Sequence, residues 1–353
     1  MSKAGDEAHT HGGALYRKYR PQSFDDVLGQ DHVVTALNGA LKENNVGHAY
    51  LFYGSRGTGK TSVARIFARA LGATDADIHE IDAASYTGVD HIRELRDEVQ
   101  VMPFASKKKV YIVDEVHMLS KAAFNAFLKT LEEPPEYVVF ILATTELEKV
   151  PDTIQSRCQV FTFKKPTTKV VSEMVTRVAK AEGFTLEAPA AELIALLAGG
   201  SFRDAQSVLQ KVLISSEDKK VTTDEVEAVT GAPKSELVRR VLEALAHGDT
   251  KDALAAVGEG VSANADMNLF LTLLLERTRL ALLLRYSSEL GETLIVDLPE
   301  AEQQGLRALA EDKESKLNSE TLKKLIEASI ATGRAAVPHL PLEVAILELV
   351  GGK

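Results

Sequence analysis

His48–Ser62 reads HAYLFYGSRGTGKTS: a short apolar strand, a glycine-rich turn and the first residues of a helix. Within it Gly54, Gly59, Lys60 and Thr61 satisfy the spacing G-x-x-x-x-G-K-[ST] of a phosphate-binding loop. Glycines let consecutive backbone N–H groups curl around phosphate oxygens, and a helix N-terminus adds partial positive charge. Lys60 is long enough to reach the outer phosphates, and the Thr61 hydroxyl is placed to sit on a magnesium ion. An ordinary glycine-rich strand-to-helix turn satisfies the same pattern, so the flanking chain has to decide between them.

Downstream, Val63 to Leu71 carries Ile66, Phe67, Ala70 and Leu71 at the spacing of a helix buried on one side, ended by Gly72. IHEID (Ile78–Asp82) reads as the next strand. The loop AASYTG follows, then a helix over Val89–Val101 with Val89, Ile92, Leu95 and Val99 inward. Lys107, Lys108 and Lys109 precede VYIVDE, whose continuous apolar run suits a strand covered on both faces, as in a parallel sheet. Its acids stand at the C-terminal end, where open α/β sheets bind ligands. Asp114 is placed to hold magnesium through its shell and Glu115 to polarise an attacking water. A capped strand end looks the same, and it is the position after a phosphate loop that gives the pair weight.

Ser120–Glu133 is a helix with Phe124, Phe127, Leu128 and Leu131 inward, stopped by Pro134 and Pro135. YVVFILATT is a further buried strand ending in the hydroxyls of Thr144 and Thr145, which either sense the γ-phosphate or cap the strand. Residues 151–163 put Ser156, Arg157 and Cys158 before a last strand. The alternation of strand and helix predicts an α/β unit with a parallel sheet and right-handed crossovers.

Upstream, Leu15–Gln30 is rich in Tyr, Arg and Lys and breaks at Pro21; Asp31 reads as the cap of a helix carrying Val33, Val34, Leu37 and Leu41. The Tyr–Arg cluster fits an entry segment packed on the core or an adenine-side wall with Arg20 near the base, and both can hold. Pro166 marks a boundary. Beyond it the pattern is helical: Val170, Val171, Met174, Val175 and Val178; Leu193, Ile194, Leu196 and Leu197; then Ser201 as a cap with Arg203 in the first turn. Thr222 with Glu225 fits a capping box. From Ala232 onward the pieces are longer. Leu269–Leu284 is apolar nearly all round and needs burial in a core or against a partner subunit. Residues 287–318 read as charged and loop-rich, and Leu342–Val350 as a closing helix.

The 353 residues suffice for about two or three domains. Hydrophobic residues at 45% and charged residues at 26% suit a soluble globular protein. A single cysteine excludes a disulfide framework or a cysteine-built zinc site and fits a reducing compartment. No apolar run reaches the roughly 18 residues of a membrane span, and the N-terminal lead lacks the apolar core of a signal peptide. Cytoplasmic location is the expectation. His9 and His11 in that lead read as a solvated tail. A net charge of −10 argues against coating nucleic acid with the whole surface, so any DNA contact must come from a local patch. Arg93, Arg96 and Lys107–Lys109 are the candidates, although a solvated charged face fits them as well.

With these motifs read, the chain resembles the gamma/tau subunit of the bacterial DNA polymerase III clamp loader, an AAA+ ATPase. The stretches that carry the resemblance are YRKYRPQSFDDVLGQ, FYGSRGTGKTS, IHEIDAASYTGVDHIREL, KVYIVDEVHMLSKAAFNAFLKTLEEPPE, FILATT, SRC and GGSFRDAQSVL. They run in family order from Tyr16 to about Gln210; the last domain matches in helical character and in PHLPLE (Pro338–Glu343). The resemblance implies an AAA+ nucleotide-binding domain over 15–165 after a flexible lead over 1–14. A helical lid over 166–230 and a helical oligomerisation collar over 231–353 follow.

It further implies that Gly54, Ser55, Arg56, Gly57, Thr58, Gly59, Lys60, Thr61 and Ser62 hold ATP. Mg²⁺ would lie on Thr61 and Asp114, Glu115 would activate water, and Thr145 (or, shifted by one, Thr144) would serve as sensor. Arg203 would face the γ-phosphate. Tyr19, Arg20, Pro21, Val27 and Leu28 would surround adenine, and Arg157 would act in trans on a neighbouring subunit's nucleotide. Implied partners are the other subunits of a pentameric clamp loader within the polymerase holoenzyme, a sliding clamp and primer–template DNA, with no membrane. Two departures stand out. The family's four-cysteine zinc module is replaced by GATDAD, so no structural zinc is expected, and the chain ends where the short gamma form ends, without a tau extension. Rival readings are a non-catalytic scaffold subunit of the same assembly and another AAA+ DNA remodeller, such as a branch-migration motor.

Overall fold

The computed structural model describes residues 13–85, 88–216, 218–296, 298 and 300–350; most of the expected lead, with His9 and His11, lies outside them. Two compact units form. One comprises residues up to Val171 together with Gly200–Ser207, the other Ser172–Gly199 with the chain from Val208 onward.

The first unit is built on five strands: β1 (Ala49–Tyr53), β2 (Ile78–Asp82), β3 (Lys109–Asp114), β4 (Val138–Thr144) and β5 (Gln159–Thr162). All pair in parallel in the order β2-β3-β4-β1-β5, as the continuous apolar runs predict. Side chains alternate between the two faces. Tyr50, Phe52, Ile112 and Ile141 meet Val33 and Leu37 of α2 (Asp31–Lys42) and Val63 and Phe67 of α3 (Lys60–Ala70); the short α1 (Leu15–Lys18) precedes them in the chain. Leu51, Val113, Phe140 and Leu142 meet Ile92 and Leu95 of α4 (Val89–Val99) and Phe124, Phe127 and Leu131 of α5 (Lys121–Glu132). Burying each of these large side chains is worth about 1.5–3 kcal/mol. The sheet therefore anchors firmly whatever sits at its rim.

The register decides what that rim holds. Tyr53 lies opposite Thr144, Val113 opposite Leu142 and Asp82 opposite Asp114. Parallel pairing thus brings the ends of β1, β3 and β4 to one edge, with the glycine-rich loop, the acid pair and the threonine pair together. After β4 the chain turns through α6 (Asp152–Gln155) into β5. Asp31 does not cap α2. It is the first helical residue, and the preceding Gln30 turns a fully buried side chain to the Lys164 backbone, donating to the carbonyl at 2.7 Å and accepting from the N–H at 3.0 Å.

Two helices cross between the units: α7 (Thr168–Ala181) and, after α8 (Ala188–Leu197), α9 (Phe202–Ser215). The second unit continues with α10 (Thr223–Thr230), α11 (Ser235–His247), α12 (Thr250–Ser262) and α13 (Met267–Tyr286). It closes with α14 (Ser288–Ile295), α15 (Glu300–Glu311), α16 (Ser319–Thr332) and α17 (Leu340–Val350). A parallel bridge of β6 (Thr185–Leu186) with β7 (Lys220–Val221), too short to leave a pattern in the sequence, joins two of its loops. The capping box at Thr222 and Glu225 forms as read, with Thr222 Oγ1 accepting from the Glu225 N–H at 3.3 Å. The apolar α13 is buried within the unit, against α11, α14, α15 and α16, which resolves the choice between core and partner in favour of core for most of its length. Residues 287–318 are not loop-rich: α14 and α15 occupy most of them, held by Arg307–Glu292 at 2.7 Å and by Arg277–Glu302.

Candidate active site

The loop after β1 is shaped by close approaches. Gly59, at φ +102°, precedes α3 in a conformation that costs any other residue strain, and no side chain caps the helix it opens. Gly57 accepts the Phe202 N–H at 3.0 Å, and a Cβ there would lie 2.0 Å from Ser201 Oγ. Thr58 is buried and donates to the Ser55 carbonyl at 2.9 Å, while Ser55 and Arg56 are exposed on the crown. Lys60 is only 6% exposed. Its ammonium folds back to donate to the carbonyls of Gly54 at 2.7 Å and Ser55 at 3.0 Å. Burial lowers its pKa, and the nearby carboxylates of Glu115 and Asp114 oppose that shift. Ser62 follows in the first turn of α3, half-buried.

Thr61 Oγ1 donates to Asp114 Oδ2 at 2.7 Å, which joins the loop to the end of β3. The other Asp114 oxygen accepts the Glu115 N–H at 3.0 Å. Glu115 has φ +48°, one of four non-glycine residues found with positive φ among those described. The left-handed turn lifts its carboxylate off the strand axis, where Thr145 Oγ1 donates to Oε2 at 3.1 Å. Thr144 is fully buried and bonds the Glu146 backbone, so it is Thr145 that reaches Glu115. Thr61 and Asp114 present hard oxygen donors side by side, the type of pair Mg²⁺ prefers. No group of three or more His, Cys, Asp or Glu side chains arranged for a metal occurs among the described residues.

A cationic flank adjoins this set. Arg20 is half-buried, and burial lowers its pKa, with like charge from Arg65 adding to the effect, Glu80 opposing it, and Arg203 and Arg17 contributing further. The Arg203 guanidinium lies over the Tyr16 ring at 4.7 Å. Tyr19, Pro21, Val27 and Leu28 are half-buried, with Val27 packed on the core that holds Val33 and Phe67. Arg65, one turn into α3 and paired with Glu80, had no motif to mark it in the sequence. His117 lies within the stretch KVYIVDEVHMLSK but takes no role from it, because its contacts come from a turn and a register.

Arg157 stands apart. It donates to the Thr153 carbonyl at 2.6 Å and pairs with Glu132, and its side chain is one-third exposed. Cys158 beside it is half-buried against the core, and burial pushes its thiol up to about 12. Lys109 is not a surface cation. It is 4% exposed and donates to the Glu98 carbonyl at 3.0 Å, which removes it from the candidate DNA contacts. Lys108 is tied to the Glu136 carbonyl at 2.7 Å, while Arg93 and Arg96 are solvated beside Asp90 and Asp97.

Two family models match the chain. One, described as DNA polymerase III, delta subunit, matches residues 29–86 and 73–167; the other, DNA polymerase III subunits gamma and tau domain III, matches residues 221–352. The chain is 44% identical over 274 residues to DNA polymerase III subunit tau of Bacillus subtilis (strain 168), covering 72% of this chain and 48% of that protein. It is 36% identical over 364 aligned positions to the gamma/tau subunit of Mycobacterium bovis (96% of this chain, 62% of that one). Identity to subunit tau of Escherichia coli (strain K12) is 40% over 278 residues (73% and 43%). The chain thus spans 43% to 62% of the length of these curated relatives. Among solved structures, the RuvB Holliday junction branch migration motor of Thermotoga maritima shares the fold. The TM-score is 0.53 and the identity 24%, over 73% of this chain and 91% of that one.

Proposed function

We propose, for a chain that belongs to the family of DNA polymerase III gamma and tau subunits, ATP hydrolysis that drives the loading of a sliding clamp onto primer–template DNA. The observation that carries the reading is the bonded set Thr61–Asp114–Glu115–Thr145 beside the buried ammonium of Lys60. Such a set has the groups that hydrolysis of a nucleoside triphosphate needs and little use as a structural motif.

In this reading residues 54–62 wrap the triphosphate, and Lys60 exchanges its two carbonyl partners for outer phosphate oxygens. Thr61 and Asp114 would hold Mg²⁺, which when bound draws negative charge off the phosphates. Glu115, anchored through Oε2, takes a proton from a water. That water's oxygen bonds to the γ-phosphorus as the bond from phosphorus to the β–γ bridging oxygen breaks, giving ADP and inorganic phosphate. Arg203 stabilises the γ-phosphate from the same chain, and Tyr19, Arg20, Pro21, Val27 and Leu28 flank adenine. Arg157, bonded away from the phosphate loop, serves the nucleotide of the next subunit in a pentameric ring. Residues 15–165 are the nucleotide domain, 166–230 a lid and 231–353 the collar that assembles the ring in the cytoplasm. Arg93, Arg96 and the exposed Lys107 are the candidates for DNA phosphates.

The test is ATP turnover with a ring-shaped clamp and primed DNA present. Arg157→Ala lowers turnover by about 10³-fold or more with nucleotide binding intact, as loss of an arginine finger does. Lys60→Ala loses nucleotide binding itself. Full clamp- and DNA-stimulated hydrolysis by Arg157→Ala, or failure of the ATP-bound protein to retain a clamp, overturns the assignment.

A further inference from the structure

Against the Glu115 carboxylate lies one buried ring. His117 occupies the short turn Val116–Met118, and its side chain is 6% exposed. Its two nitrogens face different partners. Nδ1 is 3.4 Å from Glu115 Oε2 and 3.0 Å from Thr144 Oγ1, whereas Nε2 is 3.2 Å from Glu146 Oε1. Glu146 in turn meets Lys149 at 2.8 Å. A histidine that merely filled the core would not need a carboxylate at each end.

Glu115 has reason to need such support. Its backbone is in the left-handed region, and its half-exposed carboxylate is free to adopt several rotamers unless something holds it. Thr145 and His117 both meet the same oxygen, Oε2, so Oε2 is the anchored atom and Oε1 the one offered to water. Glu146 does for the ring what the ring does for Glu115: a carboxylate on one imidazole nitrogen fixes which way the other points. Thr144 completes the frame, since its hydroxyl accepts the Glu146 N–H at 3.0 Å and so ties the end of β4 to the ring.

We propose that His117 is a positioning residue that sets the Glu115 carboxylate for proton transfer from water and is itself oriented by Glu146. The inference rests on Glu115 being the hydrolytic carboxylate. It predicts a site in which the rotamer of Glu115, rather than nucleotide affinity, depends on a residue that never touches the nucleotide.

The experiment compares His117→Ala, His117→Asn and His117→Gln in the full chain, within its assembly. Single-turnover ATP hydrolysis is measured alongside nucleotide Kd. His117→Ala lowers the hydrolysis rate about 10–100-fold with Kd little changed. Asn, whose amide reaches the position of Nδ1, restores most of the rate; Gln, which reaches only the position of Nε2, does not. In a Glu115→Gln background, His117→Ala adds no further loss, because the group through which it acts is gone. A wild-type rate in His117→Ala overturns the proposal, as does a Kd change that accounts for the whole effect or an undiminished loss in the Glu115→Gln background. If His117→Ala does not fold, the Asn and Gln variants decide, and Gln outperforming Asn counts against the role. A wild-type protein that binds ATP without hydrolysing it is read before any variant, and it overturns the hydrolytic reading of Glu115 rather than the geometry of His117 alone.

Discussion

Asp77 shows how one side chain shapes a surface. It is 1% exposed and accepts four hydrogen bonds: from the Phe104 N–H at 2.5 Å, the Ala105 N–H at 2.9 Å, Ser106 Oγ at 2.6 Å and Thr74 Oγ1 at 3.1 Å. Burial by itself pushes the Asp77 carboxyl up, and the four donors together outweigh it, holding the group well below the usual carboxylate range. The loop so fixed carries Val101, Met102 and Phe104 with their side chains largely in water. A depressed pKa in the folded state means stability that is present above about pH 4 and lost as the pH falls toward the folded value. Asp77→Asn is therefore expected to cost about 1.5–3 kcal/mol at pH 7, the worth of hydrogen bonds to a charged group. It also flattens the fall in stability below about pH 4. Denaturant midpoints at pH 7 and pH 3 check this, and a variant that loses stability in parallel with wild type on acidification contradicts it. At this scale the candidate site was legible where a short motif fixes the residue types: Lys60 and Thr61 close one motif, Asp114 and Glu115 the other, and parallel strand register brings the two together. Arg65 and His117 escaped notice because their partners, Glu80 and Glu146, are set by strand register and by a left-handed turn that no local pattern announces.

Elements were legible in proportion to how fully they are buried. The inner strands β1, β3 and β4 stand out because both of their faces are covered, so each is apolar through its middle, whereas the edge strands β2 and β5 are more exposed and mixed in character. α14 and α15 were hidden because polar residues fill most of their turns. Gly291 is held there by Leu284, whose backbone would lie 2.7 Å from a Cβ. What ends α15 is a single cation from another helix. Arg285, near the end of α13, donates to the carbonyls of Leu309 at 2.7 Å and Ala310 at 3.2 Å, and to Leu317 in the following loop at 2.9 Å. The last carbonyls of a helix lack partners within it, and a guanidinium forks where an ammonium is a point. Arg285→Met is expected to destabilise the second unit by about 1–3 kcal/mol, the cost of leaving such acceptors unmet. Arg285→Lys recovers less than half of that. Thermal unfolding of the three proteins side by side tests it, and a Lys variant as stable as wild type shows that charge alone suffices.

At the scale of the whole molecule, Arg157 raises a question that the single chain poses and an assembly answers. Its partners are Thr153 and Glu132, and neither belongs to the set around Lys60. If its target is the neighbour's nucleotide, a working site takes Glu115 from one copy and Arg157 from the next, a head-to-tail contact between unlike surfaces. Two inactive proteins then complement each other. Glu115→Gln keeps its arginine, and Arg157→Ala keeps its glutamate. In an equal mixture of the two, about one interface in four pairs an intact glutamate with an intact arginine, so about a quarter of wild-type turnover returns for independent sites. An arginine that served its own nucleotide would leave every copy defective, and the mixture would stay silent at all ratios. The measurement is ATP hydrolysis in assemblies reconstituted from the mixed variants, titrated from one pure variant to the other. Recovery that peaks at equal proportions, and vanishes at both ends, assigns the site to two chains.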